Sequence, residues 1–306
     1  MFSYRHAFHA GNHADVLKHI VLLQLFDYLN QKEAPYMVID THAGAGVYTL
    51  DGEFASKSKE AESGVALLWD RSDLPPAVSD YVRLIKSMNP SGKLRLYPGS
   101  PFLAEKTMRE QDRLRLFEMH STDAKVLADN FRKVEAHAAA QGQRAARGKR
   151  VLIQRADGFH GLKALLPPPS RRALVLIDPS YEDKDDYRKV KVAMDDALVR
   201  FATGTYVIWY PVLGRLESQQ LPERLKRLTT DWLNVTLAVG SPSGDGYGLV
   251  SSGMFIINPP WTLQATLQQT MPWLVQTLGR DEGARFTLQT GAGEQKAKAA
   301  AKVRAK

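Results

Sequence analysis

The chain has 306 residues, 44% of them hydrophobic, enough for one large core or a core domain carrying an insertion. It contains no cysteine, which excludes a disulfide framework and a thiolate metal site and suits a cytoplasmic protein; no run of about 18 apolar residues is present to span a membrane, and Met1-Phe2-Ser3-Tyr4-Arg5-His6 lacks the apolar stretch of a signal peptide. The net charge of +8 favours a polyanionic partner, although residues from Arg285 onward supply six of the cations against Glu294 alone.

In chain order, a helical pattern over His13–Gln31 precedes a short apolar run, Tyr36–Ile39, that ends at Asp40. Further runs follow: Leu114–Phe117 ending at Glu118, Val151–Ile153 leading to Asp157, and Ala173–Ile177 ending at Asp178. Tyr206–Trp209, Val235–Val239 and Met254–Ile257 complete the set. Runs this short and rich in branched residues read as buried strands. Apolar residues at three-to-four spacing mark helices at Asp123–Val134, Tyr187–Phe201, Arg215–Leu228 and Thr262–Leu278. Such alternation predicts an α/β fold around an open, mostly parallel sheet. Asp40 to Glu118 is too long for one crossover. Amphipathic stretches at Glu62–Trp69 and Ala77–Met88, parted by Asp73-Leu74-Pro75-Pro76, make residues 51–97 a helical insertion. Residues 1–50 and 98–282 then form the sheet domain. Residues 283–306 read as a basic, disordered tail.

Open α/β sheets bind ligands at the carboxyl ends of their strands. Asp40, Glu118, Asp157 and Asp178 all fall there, a set of acceptors suited to ribose hydroxyls, an adenine amine and an ammonium group. S-adenosylmethionine carries all three. The first strand runs into Thr41-His42-Ala43-Gly44-Ala45-Gly46, where glycine lets backbone approach a ligand. Thr49 stands where a dinucleotide fingerprint needs its third glycine, and no Gly-Lys-Ser/Thr follows to make a phosphate loop.

Asp178-Pro179-Ser180-Tyr181 is the sharpest local signal. Amino-group methyltransferases commonly carry Asp/Asn-Pro-Pro-Tyr/Phe after this strand. The lone pair of an adenine amine is delocalised into the ring, so the nitrogen must be oriented for attack. Asp178 can accept one N–H and the Pro179 carbonyl the other. Tyr181 would offer a face for the flipped base. An ordinary strand-to-helix turn uses the same residue types.

Ser3-Tyr4-Arg5-His6 and the long run Phe8-His9-Ala10-Gly11-Asn12-His13-Ala14-Asp15-Val16-Leu17-Lys18-His19 resemble the N-terminus of the RlmJ family of bacterial 23S ribosomal RNA adenine-N6-methyltransferases. The resemblance continues through Asp40–Gly46, Tyr97–Pro101, Ala156–Phe159, Trp209–Pro211, Ser252–Met254 and Asn258–Trp261, and spans roughly residues 2 to 275. It implies a Rossmann-like class I S-adenosylmethionine-dependent methyltransferase with a small helical subdomain inserted. Cofactor contacts are implied at His19, His42, Gly44, Ser100, Glu118, Asp157, Gly158 and Asp178. Catalysis is implied at Asp178, Pro179 and Tyr181, and substrate contacts at Tyr4, His6, Lys18 and Tyr181. The partner is then 23S RNA, protein-free or early in assembly, met by a cytoplasmic monomer. Ser180 departs from the usual second proline.

His6, His9, His13 and His19 could gather on a helix, but methyl transfer needs no metal and none is expected. Trp232, Trp261 and Trp273 are expected in the core. Arg144, Arg147, Lys149 and Arg150 read as a solvated loop. The rival enzymes are a DNA adenine methyltransferase and a nicotinamide-dependent oxidoreductase. The non-enzymatic rival is an RNA-binding module with a decayed site.

Overall fold

A computed structural model describes residues 6–50, 59–140, 150–242 and 248–291. Helix α1 (His13–Asn30) starts at Asn12, whose side chain accepts the N–H groups of Ala14 and Asp15 at 2.9 and 3.0 Å. It is buried almost all round, so it shows no single apolar face. Strands β1 (Met37–Asp40), β4 (Arg113–Phe117), β5 (Val151–Gln154), β6 (Ala173–Ile177) and β7 (Thr205–Pro211) pair in parallel, in the order β5-β4-β1-β6-β7. Beyond β7 lie β9 (Ser251–Ile257) and β8 (Trp232–Ala238), joined by antiparallel pairing. This is the Rossmann-like α/β class read from the sequence. The strand order reverses beside β1, which opens a crevice at the carboxyl ends of β1 and β6.

The segment between β1 and β4 is not a plain helical insert. A two-stranded antiparallel ribbon, β2 (Val47–Thr49) with β3 (Leu96–Pro98), frames it. The first amphipathic stretch is two single turns of 3-10 helix, Glu60–Ser63 and Val65–Leu68, broken at Gly64. A side chain at Gly64 would lie 2.1 Å from the Gly11 carbonyl, so close contact with the start of α1 sets this break. Helix α2 (Pro76–Ser87) supplies the second stretch and packs on α1. Helix α3 (Ser100–Thr107) then leads into β4. Helices α4 (Ser121–Ala140), α5 (Gly158–Leu165), α6 (Asp185–Arg200), α7 (Leu216–Lys226) and α8 (Leu263–Leu278) follow in chain order.

Two further expectations fail. The tail does not begin at 283: β10 (Arg285–Gly291) adds an eighth strand, antiparallel to β8. Phe286 and Leu288 alternate with polar residues and pack on the core, the period of a half-buried strand. The remainder of the tail, 292–306, and the basic run at 144, 147 and 149 lie outside the described residues, while Arg150 donates to the carbonyls of Glu105 and Met108. Trp261 is not core either; it is 77% exposed. Among the described residues no helix is long and apolar enough to cross a membrane.

Candidate active site

Parallel pairing places the ends of β1, β4, β5 and β6 side by side. Asp40, Glu118, Asp157 and Asp178 therefore meet along one edge. A cavity of about 260 Å³ opens there, lined by His42, Gly44, Ser100, Glu118, Asp157 and Asp178 among others. Glu118 stitches the glycine loop to its strand: its Oε2 accepts the Gly44 N–H at 2.8 Å and its Oε1 the His120 N–H at 2.7 Å. Burial raises its pKa, against those two N–H groups. Gly44 has φ +61°, and a side chain there would lie 2.4 Å from the Tyr48 hydroxyl, so the loop's approach to the cavity needs glycine. Asp157 caps α5, accepting the Phe159 N–H at 2.8 Å.

Asp40 sits beneath this edge, 2% exposed. Ser100 donates to its Oδ2 at 2.7 Å and the His42 N–H to its Oδ1 at 3.2 Å. Burial pushes its carboxyl up to about 6. His42 is pushed down to about 4 by burial and is neutral at physiological pH. The Thr41 hydroxyl donates to the Leu176 carbonyl at 3.0 Å. Its 2.8 Å contact with His42 Nδ1 is then a bond donated by the ring, which leaves Nε2 as an acceptor.

A buried charged seam crosses the end of β6. Lys18 of α1, 5% exposed, donates to Asp178 Oδ2 at 2.7 Å and lies 3.0 Å from Asp15 Oδ1. Asp15 Oδ2 also accepts the Gly11 N–H and His6 Nε2–H, both at 2.9 Å. Burial alone would raise the pKa of Asp15, but the charges of His6 and Lys18 outweigh it and hold the carboxylate well below its usual range. Buried charges persist only when paired in this way. Among the described residues, Asp178 Oδ1 keeps no hydrogen-bond partner.

Beyond the seam lies a second cavity of about 300 Å³. His6, Lys18, Asp178 and Ser180 line both cavities and form the partition between them. Tyr181 lines this second cavity but offers it little of the expected stacking face. It is 2% exposed with φ +54°, and its hydroxyl donates to the Trp209 carbonyl at 2.8 Å. The turn folds its ring inward against Tyr187.

Of the residues expected to meet the cofactor, His42, Gly44, Ser100, Glu118, Asp157 and Asp178 line the first cavity, with Pro179 beside them. His19 and Gly158 line neither cavity. His19 is fully buried, stacked on Tyr97 and 2.9 Å from its hydroxyl, because α1 turns that face inward. Gly158 packs on Thr41, whose carbonyl oxygen would lie 2.1 Å from any side chain there. Tyr4 falls outside the described residues. Sequence reasoning missed Asp15, although its spacing of three from Lys18 on a helix was a usable signal. It also missed Trp209 and Arg215, which line the second cavity.

The model of the family described as Ribosomal RNA large subunit methyltransferase D, RlmJ, matches residues 33–288. Proteins named Ribosomal RNA large subunit methyltransferase J are similar throughout. The one from Escherichia coli is 44% identical over 275 residues, 90% of this chain and 93% of that protein. The one from Haemophilus influenzae is 43% identical over 291 residues, 94% and 98% of the two chains. A crystal structure of a Legionella pneumophila protein superposes with a TM-score of 0.82 at 32% identity, covering 93% of this chain and 99% of that one.

Proposed function

The chain belongs to the RlmJ family of ribosomal RNA large subunit methyltransferases, and on that premise we propose that it transfers a methyl group from S-adenosylmethionine to the exocyclic N6 amine of an adenine in 23S ribosomal RNA. The observation that carries the reading is Asp178, which stands in the partition between two cavities with one carboxylate oxygen fixed and the other free.

The first cavity suits the cofactor. Glu118 offers carboxylate oxygens to ribose hydroxyls. Asp157 and the backbone of the Gly44 loop would hold the adenosine end, and His42 Nε2 and Ser100 would add polar contacts. A side chain at Gly44 would collide with the Tyr48 hydroxyl, itself on the cavity wall, so that wall needs glycine. Bound there, S-adenosylmethionine supplies a methyl group on a positively charged sulfur.

The chain's own residues place the acceptor. Lys18 holds Asp178 Oδ2, so the carboxylate cannot swing, and Oδ1 accepts one N–H of the amine. The Pro179 carbonyl accepts the other. The nitrogen lone pair then points across the partition. As the nitrogen–carbon bond forms and the carbon–sulfur bond breaks, positive charge would pass from sulfur to this nitrogen until one of its protons leaves, and the Asp178 carboxylate would favour that charge. Asp15 and His6 keep Lys18 in place. A paired adenine cannot reach this partition, so the base must be unpaired or flipped. We assign the substrate as 23S RNA free of ribosomal proteins, met by a monomer in the cytoplasm. The test is transfer of labelled methyl from S-adenosylmethionine to protein-free 23S RNA and to assembled large subunits. Faster labelling of the free RNA is expected; no transfer to it would contradict the proposal.

A further inference from the structure

A flipped nucleotide brings its phosphates with it, and an enzyme that seats the base must also tolerate or grip that charge. The second cavity holds carboxylates at Asp15, Asp178 and Glu182, and its buried cation, Lys18, is committed to Asp15 and Asp178. Arg215 differs. It lines the same cavity at the start of α7, partly exposed. Among the described residues it enters no ion pair, and its Nη1 makes only a long 3.5 Å bond to the Tyr181 carbonyl. The adjoining wall is apolar. Trp209, half-buried, and Pro211 stand at the end of β7, with Leu213 on the segment that leads from it to Arg215. With the Tyr181 ring turned inward, Trp209 is the large aromatic side chain still partly open along this wall.

We propose that the second cavity seats the flipped target nucleotide, with Trp209, Pro211 and Leu213 against the base and Arg215 gripping an adjacent phosphate. The inference rests on the methyl-transfer reading above. Guanidinium suits the role because its planar fork matches phosphate oxygens and stays charged. The competing role is a brace: through the Tyr181 carbonyl, Arg215 could merely steady the turn that follows Asp178.

Full-length protein and protein-free 23S RNA separate the two roles. Arg215→Ala should raise KM and Kd for the RNA about tenfold and lower the slope of log affinity against log salt by about 1, with affinity for S-adenosylmethionine unchanged. Arg215→Lys should keep the parent salt slope, because the charge remains, while recovering only part of the affinity. Trp209→Leu should raise KM several-fold with no change in salt slope, because stacking releases no counterions. Parent-like KM and salt slope in Arg215→Ala, or a loss confined to kcat together with a lower Tm, would overturn the proposal and leave Arg215 as a brace. Failure of the functional reading would look different: the unmutated protein would bind no S-adenosylmethionine or methylate no RNA.

Discussion

Two turns of nearly the same composition leave the sheet at opposite edges. Asp178-Pro179-Ser180-Tyr181 follows β6, and Asn258-Pro259-Pro260-Trp261 follows β9. By motif alone the two are equal matches to an amino-group methyltransferase: the first departs at Ser180, the second keeps both prolines but ends in Trp261. Strand direction decides between them. β9 runs antiparallel to β7, so its turn emerges at the amino edge of the parallel strands, away from both cavities. There the Asn258 side chain is consumed by structure, donating to the carbonyls of Ala202 and Gly204 at 2.8 and 2.7 Å, and Trp261 lies in solvent. Asp178 instead lines both cavities, and among the described residues its Oδ1 has no hydrogen-bond partner. A motif has chemistry only at the edge where the sheet places its crevice.

The largest expected effect sharpens this contrast. Asp178→Asn keeps the shape of the turn, which tolerates Asn, but gives up the charged acceptor. Single-turnover methyl transfer should fall about 10²–10³-fold, with Tm near the parent. Asn258→Ala should leave the single-turnover rate near the parent. A parent rate in folded Asp178→Asn would erase the distinction between the edges.

The carboxyl edge should also cost stability where the amino edge supplies it. Asp40, raised to about 6 by burial, binds a proton in the folded state at pH values where the unfolded chain has released it. Stability therefore falls as pH rises from about 4 through 6, by about 3 kcal/mol at full ionisation. Asp40→Asn should flatten that limb in melts taken across the window; an unchanged limb would mean that Asp40 does not carry it.

Glu118→Ala tests the cofactor half of the same edge. Losing charge-assisted bonds to ribose should weaken S-adenosylmethionine binding by about 1.5–3 kcal/mol in calorimetry. Equal affinity would remove Glu118 from the site. The smallest effect belongs to the amino edge: Asn258→Ala should cost about 1–2 kcal/mol of stability, read by denaturant unfolding, from two lost hydrogen bonds and a residue at φ +54° that Ala adopts poorly. No change in stability would leave Asn258 without the structural role assigned to it.

Much of this edge was legible in the sequence. Apolar runs gave β1, β4, β5 and β6, and the acids at their ends became the lining because parallel strands present the same ends together. What was illegible depends on facing and on long-range meetings. Lys18 and Asp178 lie 160 residues apart in the chain, and no local pattern announces their contact. The ring of Tyr181 turns inward through a positive φ that Tyr rarely adopts. His19 shares a helix with Lys18 yet points into the core, because α1 is buried on every side. β10 could have been found: Phe286 and Leu288 alternate with Arg285, Thr287 and Gln289, a period of two hidden by the basic residues around it.

The central claim is that Asp178 presents an adenine N6 amine to a methyl donor in the neighbouring cavity. The most direct measurement is nucleoside analysis of protein-free 23S RNA after one turnover with labelled S-adenosylmethionine, using the parent protein and Asp178→Asn side by side. The account predicts label in N6-methyladenosine with the parent and very little with the variant. Label in a ribose 2′-O-methyl or a ring-carbon methyl group, or equal N6-methyladenosine from both proteins, would contradict it.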